Sequence, residues 1–280
     1  MKISELNYAK IRTMILDRAY YYPRRMRRIF LGIATFVIKK YKIRYKDIEI
    51  VVHVSTNSDL DRARGGYEKF VVDQIYDSLC VDNNEIVYYE IGACIGINSL
   101  IVSKMVRDKK GTCVAFEPSP ANFDTIAKSV LENDIKNIIL IPFAISNESN
   151  LSKLYLAKPK ISSGQGGHSL RYLDYHKESH FIRVPKMSLD DAIKILELPV
   201  PTFISLDVES HEEEVLEGME ELLYHPKLKN IIIEINGTRD PHGSKVTDIL
   251  KKAGYYIKDY KASGPRAVVH CMVNYEKTEN

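Results

Sequence analysis

The chain has 280 residues, 45% of them hydrophobic and 28% charged, and it carries a formal net charge of +3. This length suits one well-filled α/β domain with an appendage and argues against two domains of equal size. The net charge is too small to indicate, on its own, a protein that binds nucleic acid. The four cysteines form no Cys-x-x-Cys pair, so we expect a reducing, cytoplasmic environment.

Residues 1–60 are interpreted as a basic, largely helical extension, with helices on either side of Pro23 and a β-branched run at Ile48–Val54. All charged residues within residues 20–46 are basic. This segment is compatible with contact to nucleic acid, peripheral contact to an anionic membrane surface, or packing on the domain core, and the sequence leaves these three alternatives open. No run of roughly 18 apolar residues occurs, so we expect no transmembrane segment.

Residues 61–280 are predicted to form one domain, interrupted by a loop and hairpin insertion at about 151–184. Apolar runs alternate there with amphipathic stretches, which indicates an α/β fold with a doubly wound, mostly parallel sheet. The seven predicted strands are Glu85–Ile91, Thr112–Phe116, Asn137–Pro142, Thr202–Val208, Lys229–Ile235, Gly254–Asp259 and Ala267–Asn274. The predicted helices are Gly96–Val106, Ser119–Asn133, His211–Tyr224 and Ser244–Ala253.

Two connections depart from the alternation of strands and helices. The last two apolar runs are separated by a short loop around Gly264, so they are predicted to pair as an antiparallel hairpin at the edge of the sheet. The insertion contains strand-like pieces around Tyr155 and Ile182, separated by a glycine- and serine-rich loop at residues 162–167. That loop is long enough to act as a lid or a substrate loop.

A glycine turn follows the first strand of the domain. Glu90 ends the strand, Gly92 and Gly96 bracket the turn, and a helix begins at once. Glycines allow a ligand to approach the backbone, and the first amides of the helix point toward that ligand. The acid-Gly-x-x-x-Gly order is typical of enzymes that bind S-adenosylmethionine, rather than of the Gly-x-Gly-x-x-Gly dinucleotide loop. The expected cofactor contacts from this turn are Glu90, Gly92, Ala93, Cys94, Gly96, Asn98 and Ser99.

The next two strands end in residues suited to a nucleoside. Glu117 closes the second strand, about 20 residues beyond the glycine loop, where a doubly wound sheet places an acid beside the ribose. Pro118 follows it and stops the strand. The turn after the third strand contains Ala144, which we expect to line the adenine.

A cluster of polar residues follows the fourth strand. Asp207 and Glu209 share a strand face, and His211 begins the next helix. Ligands in open α/β sheets bind outside the carboxyl ends of the strands, so these three are the candidate catalytic residues, and Asp207 also a candidate cofactor contact. Asp207 with Glu234 and Asn236 is a less favoured Mg²⁺ site, because oxygen ligands suit that ion.

Five short segments in chain order carry a family resemblance. They are Glu90–Leu100, Phe116–Phe123 with Asn133 downstream, Ala144–Ser146, Ser188–Asp191 and Asp207–Gly218. Together they resemble FkbM-type methyltransferases, which have a class I, Rossmann-like fold and are associated with O-methylation of sugars, polyketides and similar hydroxylated products. The resemblance implies S-adenosylmethionine as cofactor and a small-molecule or glycan acceptor, and it does not extend to residues 1–60.

The sequence departs from the family pattern at three positions. The family usually has Asp where Glu90 stands, Asn where Cys94 stands and Gly where Ser210 stands. Glu90 keeps the carboxylate and, with it, the expected contact to the methionine amino group. Cys94 removes a polar side chain from the cofactor loop, although backbone amides remain. Ser210 is expected to narrow the pocket or to require a different backbone angle.

The predicted reaction is an in-line methyl transfer assisted by a base. Aligning the acceptor oxygen with the methyl carbon supplies most of the catalysis, and a base removes the hydroxyl proton. His211 is the first candidate base because imidazole titrates near neutrality, with Asp207 or Glu209 as its substitute or orienting partner. Two other functions remain: an RNA methyltransferase that uses the basic N-terminal segment, and a fold relative that binds the cofactor without transferring methyl groups.

Overall fold

The computed structural model describes residues 39–66, 69–81, 86–156, 168–173, 176, 180–263 and 270–278. Its strands are β1 Lys40–Tyr45, β2 Ile48–His53, β3 Val87–Ile91, β4 Thr112–Phe116, β5 Ile138–Ile141, β6 Ala144–Ser146, β7 Asn150–Tyr155, β8 Phe181–Ser188, β9 Phe203–Leu206, β10 Asn230–Asn236, β11 Tyr255–Ser263 and β12 His270–Lys277. Its helices are α1 Asn57–Asp61, α2 Lys69–Val81, α3 Ile97–Val106, α4 Pro120–Glu132, α5 Leu189–Ile195, α6 Glu212–Glu217, α7 Glu220–Tyr224 and α8 Lys245–Lys252.

A seven-stranded sheet in the order β11-β12-β10-β9-β3-β4-β5 forms the centre of the molecule. The five strands from β10 to β5 are parallel to one another, and β12 is antiparallel to both of its neighbours. Every residue of β3 and β9 is buried, as expected for strands covered by helices on both faces. The predicted doubly wound, mostly parallel sheet with an antiparallel C-terminal hairpin is therefore confirmed.

Within the edge hairpin, β12 lies between β10 and β11, so the first strand of the hairpin forms the edge of the sheet. One detail of the helices differs from the sequence prediction. The single helix predicted over His211–Tyr224 is two helices, α6 and α7, with a break at Gly218. A Cβ on Gly218 would lie 1.8 Å from the carbonyl oxygen of Ser146, so this position packs directly on the backbone of β6.

The insertion folds into a small sheet beside the main one. Its strand order is β6-β8-β7, with β8 parallel to β6 and antiparallel to β7. The side chains of Leu154, Leu156 and Val184 form its own apolar cluster. The strand-like pieces seen in the sequence are therefore paired with each other, and β6 joins them to the end of the third parallel strand.

The described part of the N-terminal extension is a β-hairpin followed by the start of α1. β1 and β2 pair antiparallel, and Ile50 and Val52 are buried in one cluster with Ile97 and Leu100 of α3. The β-branched run at Ile48–Val54 contains β2, and the alternation of buried and exposed positions in both strands suits a sheet with one covered face. The helices predicted around Pro23 lie outside the described residues.

Part of the basic segment has acidic partners within the protein. The Nζ atom of Lys40 lies 2.6 Å from a carboxylate oxygen of Glu132, and that of Lys42 lies 2.7 Å from one of Glu49. Both pairs are exposed, so each contributes little to stability. In the part of the chain that the structure describes, no helix is long and apolar enough to cross a bilayer.

Candidate active site

The carboxyl ends of β3, β4 and β9 surround a pocket with two adjoining parts. The larger cavity encloses about 640 Å³ and the smaller about 430 Å³, counting the space open to solvent. Most of the predicted cofactor residues line one or both cavities, namely Glu90, Gly92, Ala93, Cys94, Asn98, Glu117, Pro118, Ala144 and Asp207. The candidate catalytic residues Asp207, Glu209 and His211 line the larger one. The sequence therefore predicted residues from four separate segments that do meet at this pocket.

Four predicted residues do not line either cavity. Gly96 and Ser99 lie behind the loop, where Ser99 is fully buried and donates hydrogen bonds to Glu90. The hydrogen bonds of Ser99 help to hold the loop, and the cofactor contacts expected of these two residues remain predictions. Glu234 is half-buried and Asn236 exposed on β10, and neither borders the pocket.

The two glycines of the turn are required by the protein itself. Gly92 has φ +89°, and a Cβ there would lie 2.0 Å from the carbonyl oxygen of Asp207. Gly96 has φ +72°, and its Cβ would lie 2.9 Å from a methyl carbon of Ile126. The space that a side chain would fill is therefore occupied by the backbone after β9 and by α4. The glycines serve the close packing of three elements, in addition to any approach of a ligand.

Glu90 is buried where β3 meets the start of α3. One of its carboxylate oxygens accepts a hydrogen bond from the backbone N–H of Ser99 at 2.9 Å, and the Ser99 hydroxyl donates to the same oxygen. Burial raises the pKa of Glu90 to about 7, with a smaller contribution from the negative charge of Asp207. An added positive charge in the smaller cavity would favour the ionised form of Glu90.

Glu117 joins the end of β4 to the glycine loop. Its two oxygens accept hydrogen bonds from the backbone N–H of Cys94 at 2.7 Å and from that of Ser119 at 2.8 Å. Burial raises the pKa of this carboxyl to about 7, although the backbone hydrogen bonds oppose the shift. A carboxylate has further lone pairs after these two bonds, so ribose hydroxyls can still donate to it.

Two of the departures from the family pattern fall on backbone with positive φ. Cys94 has φ +54° and Ser210 has φ +69°. Asn and Gly, the usual family residues at these positions, are the residue types that adopt this region most easily. Cys94 and Ser210 therefore adopt backbone angles for which Asn and Gly are better suited. At Ser210 the loop is also tied by its N–H, which donates to Glu212 at 3.1 Å.

Asp207 lines both cavities and has a buried carboxylate oxygen, Oδ1, without a hydrogen-bond partner. A buried acceptor left unpaired costs roughly 1–3 kcal/mol, more when it is charged. This orphaned oxygen indicates that a ligand supplies the partner. An ammonium group in the pocket fits that requirement, because it can donate to Oδ1 and would place positive charge beside Asp207 and Glu90. Among the described residues, no group of three or more His, Cys, Asp or Glu side chains is placed to hold a metal ion.

His211 is buried at the start of α6, where Nε2 has a hydrogen-bond partner and buried Nδ1 has none among the described residues. Its Nε2 lies 2.9 Å from the hydroxyl oxygen of Ser146, and its Nδ1 lies 3.5 Å from a carboxylate oxygen of Glu214. Burial lowers the pKa of His211, while the charge of Glu214 opposes the shift. The orienting partner predicted from the sequence was Asp207 or Glu209; the carboxylate nearest to Nδ1 in the structure is that of Glu214, one turn along the helix.

The insertion provides one wall of the larger cavity through Leu154, His168 and Leu170. The buried hydroxyl of Ser169 donates to the carbonyl oxygen of Glu209 at 2.8 Å, which joins this wall to the loop after β9. Burial lowers the pKa of His168 to about 4, so the imidazole is neutral. The expectation that this segment faces a substrate remains a prediction, and its glycine- and serine-rich part at residues 162–167 lies outside the described residues.

Several residues of the pocket were missed from the sequence. Arg62, Asn122, Phe143, Leu154, His168 and Leu170 line the larger cavity. Asn122 lies within the segment Phe116–Phe123, and Phe143 directly precedes Ala144. Their closeness to predicted site residues was a signal that could have found them. Arg62 precedes every recognised motif, and only the folded chain brings it to the pocket.

Comparison with known proteins supports the family resemblance. The methyltransferase FkbM domain family matches residues 90–257, more than half of the chain. A relative, hexuronic acid methyltransferase AglP of Haloferax volcanii, is 28% identical over 167 residues, which are 60% of this chain and 62% of that protein. The match thus spans less than two thirds of the relative's length.

Solved structures show a general likeness. An FkbM methyltransferase from Methylobacillus flagellatus is 15% identical with a TM-score of 0.46, covering 79% of this chain and 53% of the other. A S-adenosylmethionine-dependent methyltransferase from Agrobacterium tumefaciens is 6% identical with a TM-score of 0.49, covering 86% and 71%. At this similarity the two structures carry no information about activity or substrate. The family match shows that the chain belongs to the FkbM family of methyltransferases, and its cofactor is S-adenosylmethionine.

Proposed function

We propose that the protein transfers the methyl group of S-adenosylmethionine to a hydroxyl oxygen of a sugar or similar hydroxylated acceptor. The observation that carries this proposal is His211, a buried imidazole with a lowered pKa on the wall of the larger cavity. A neutral imidazole is the form that can accept a proton from a hydroxyl. The relative AglP is named for methylation of hexuronic acid, so a hexuronic acid is the first acceptor class to consider.

The side chains that line the two cavities match the chemical groups of the cofactor. When bound, the cofactor would supply an electrophilic methyl group on its sulfonium. Glu117 would accept hydrogen bonds from the ribose hydroxyls. Ala144 and Phe143 would contact the adenine base. Asp207 and Glu90 border the smaller cavity, where their carboxylates suit the amino group. Holding the methyl carbon in line with the acceptor oxygen would supply most of the rate enhancement.

Proton removal is assigned to His211. Lys186 Nζ lies 3.4 Å from the Ser146 hydroxyl and donates to it, so the hydrogen of Ser146 is available for Nε2 of His211. For the imidazole to take up a proton at Nε2, this hydroxyl turns to its other acceptor, Oδ1 of Asn147 at 3.3 Å. Glu214 then faces the imidazolium and stabilises it. Asp207 is the second candidate, because its Oδ1 has no other proton donor.

The test is a transfer assay with methyl-labelled S-adenosylmethionine and three acceptor pools: uronic-acid oligosaccharides, neutral glycans and total RNA. We expect label on the uronic acids, in an ether linkage that resists mild alkali. Release of methanol by mild alkali would instead show an ester formed on the carboxylate, a nucleophile that needs no base. Label on RNA would replace the proposal with the RNA methyltransferase alternative. Cofactor binding without transfer to any pool would favour the non-catalytic relative.

The role of His211 is tested separately from the acceptor. His211→Ala should lower kcat about 100-fold or more and leave cofactor affinity unchanged. His225→Ala is the matched control, because His225 follows α7 and does not line the pocket. Equal activities of the two variants would remove His211 from the mechanism.

The remaining partner predictions keep the status of proposals. A reducing, cytoplasmic location agrees with the free thiols of Cys94, Cys113 and Cys271. Peripheral contact of residues 20–46 with a membrane or a nucleic acid concerns mainly residues outside the described range. An Mg²⁺ requirement is tested by activity in chelator with and without added Mg²⁺.

A further inference from the structure

Arg62 lies where the two cavities of the pocket meet. It is one of five described residues that line both, together with Ile91, Gly92, Cys94 and Asp207. Of the described residues that border either cavity, Arg62 is the one with a permanent positive charge. It precedes residues 90–257, which match the family, so no motif of the family assigns it a role.

The backbone around Arg62 is held firmly in place. Thr56 caps α1 in a capping box, in which its hydroxyl accepts from the Asp59 N–H at 3.1 Å and Asp59 accepts from the Thr56 N–H at 2.9 Å. Leu60 and Ala63, on either side of Arg62, are buried in the cluster of the β1–β2 hairpin. Arg62 itself begins a π-helical turn, a local geometry frequent at functional sites.

The charge of Arg62 acts on both sides of the glycine loop. It lowers the pKa of Cys94 and of Glu117, in each case against a larger effect of burial. The other charged groups at the smaller cavity are the carboxylates of Glu90 and Asp207. Those acids suit the ammonium and sulfonium groups of S-adenosylmethionine. The amino-acid end of the cofactor also bears a carboxylate. That carboxylate needs a cationic donor among acids that would otherwise repel it.

We propose that the Arg62 guanidinium binds the carboxylate at the amino-acid end of the cofactor, and that the segment before the family domain thereby completes the cofactor site. The planar guanidinium matches a carboxylate with parallel N–H donors, and such charge-assisted hydrogen bonds are strong in a partly buried pocket. The inference concerns the cofactor alone and does not depend on the identity of the acceptor.

Calorimetry with two ligands tests the proposal. S-adenosylhomocysteine carries the carboxylate, whereas 5′-methylthioadenosine shares the nucleoside and the sulfur but lacks the amino-acid group. Arg62→Met should weaken binding of S-adenosylhomocysteine by roughly 10- to 100-fold and leave binding of 5′-methylthioadenosine within about twofold. Arg62→Lys should recover part of the loss, because it keeps the charge without the paired donors.

Arg64→Met is the matched control, since Arg64 belongs to the same π-helical turn but does not line either cavity. It should bind both ligands as the wild-type protein does. Equal losses of both ligands in Arg62→Met would overturn the proposal and assign Arg62 a role through Glu117 at the ribose. Unchanged binding of both would also overturn it. Should Arg62→Met fail to fold, the binding of S-adenosylmethionine and of decarboxylated S-adenosylmethionine is compared in Arg62→Lys. The proposal requires that this variant loses affinity for S-adenosylmethionine and not for the decarboxylated form.

Discussion

The backbone N–H of Cys94 donates a hydrogen bond of 2.7 Å to Oε2 of Glu117. This contact joins the glycine loop after β3 to the end of β4, and it places a buried carboxylate beneath the pocket. A hydrogen bond to an ionised acceptor is stronger than one between neutral groups, so the loop is best fixed when Glu117 carries its charge. The conformation of the loop and the ionisation of Glu117 are therefore linked.

Cofactor affinity should depend on pH near neutrality. Burial raises the pKa of both Glu90 and Glu117 to about 7 in the free protein, so each is partly protonated there. The cofactor favours their ionised forms, and binding below pH 7 must release protons. Affinity should thus rise with pH through 7 and level off above it, by up to about tenfold per unit for each group. Calorimetry in buffers of different ionisation enthalpy measures the proton release directly.

Glu117→Gln provides the internal check on this pH dependence. The variant should bind the cofactor more weakly and show a shallower pH dependence, because one of the two titrating groups is gone. Glu49→Gln is the control, since Glu49 lies in an exposed ion pair with Lys42 and does not line the pocket. An unchanged pH profile in Glu117→Gln would mean that another group titrates.

Gly92→Ala should destabilise the protein more than its backbone angle alone explains. Its Cβ would lie 2.0 Å from the Asp207 carbonyl oxygen, so the ends of β3 and β9 would have to separate. We expect a loss of at least about 3 kcal/mol in the free energy of unfolding. Gly237→Ala is the matched control, because Gly237 has φ +82° with no atom within 4 Å of the added Cβ, and should lose only about 1–2 kcal/mol. Similar losses in denaturant unfolding would contradict the packing argument.

Ser210→Gly should stabilise the protein. Ser210 has φ +69°, where a residue with a Cβ is strained and glycine is not. The expected gain is about 1 kcal/mol in the free energy of unfolding, which thermal or denaturant unfolding would detect. Ser210→Ala separates the two properties of the side chain, since alanine keeps the Cβ and should show no gain. A gain in the alanine variant would assign the effect to the lost hydroxyl.

Ser169→Ala should disturb the wall of the larger cavity without affecting the cofactor. The Ser169 hydroxyl donates to the Glu209 carbonyl at 2.8 Å and accepts from the Arg171 N–H at 3.0 Å, so its loss removes a hydrogen bond from each of two backbone groups. We expect a loss of about 1–3 kcal/mol in stability, a raised KM for the acceptor and an unchanged Kd for S-adenosylmethionine. Ser149→Ala removes an exposed serine that donates to Asp191, and should change none of the three. If the Kd for S-adenosylmethionine rose in Ser169→Ala as much as the KM for the acceptor, the Ser169–Glu209 contact would belong to the cofactor site.

Much of the central sheet was predictable from the amino-acid sequence because its signals are local. β3 and β4 are short apolar runs that end in Glu90 and Glu117, and burial on both faces makes such runs nearly continuous in apolar residues. The glycine turn, the acid after the second strand and the cluster at Asp207–His211 each occupy a few consecutive residues. Parallel strands then bring these three ends to one edge of the sheet, whatever the details of the loops.

Other features depend on contacts between residues far apart in the chain. Arg62 reaches the pocket because Leu60 and Ala63 pack under the β1–β2 hairpin, and His211 is held by Ser146 from a different sheet. The sequence shows a β-branched run at Ile48–Val54, but its pairing with β1 in a hairpin depends on α3 and α4, which cover one face. Gly92 is required by a carbonyl more than 100 residues later in the chain. Local patterns encode which elements form and where a strand ends, whereas the partners of a side chain follow from the packing of distant segments, which no short window of sequence contains.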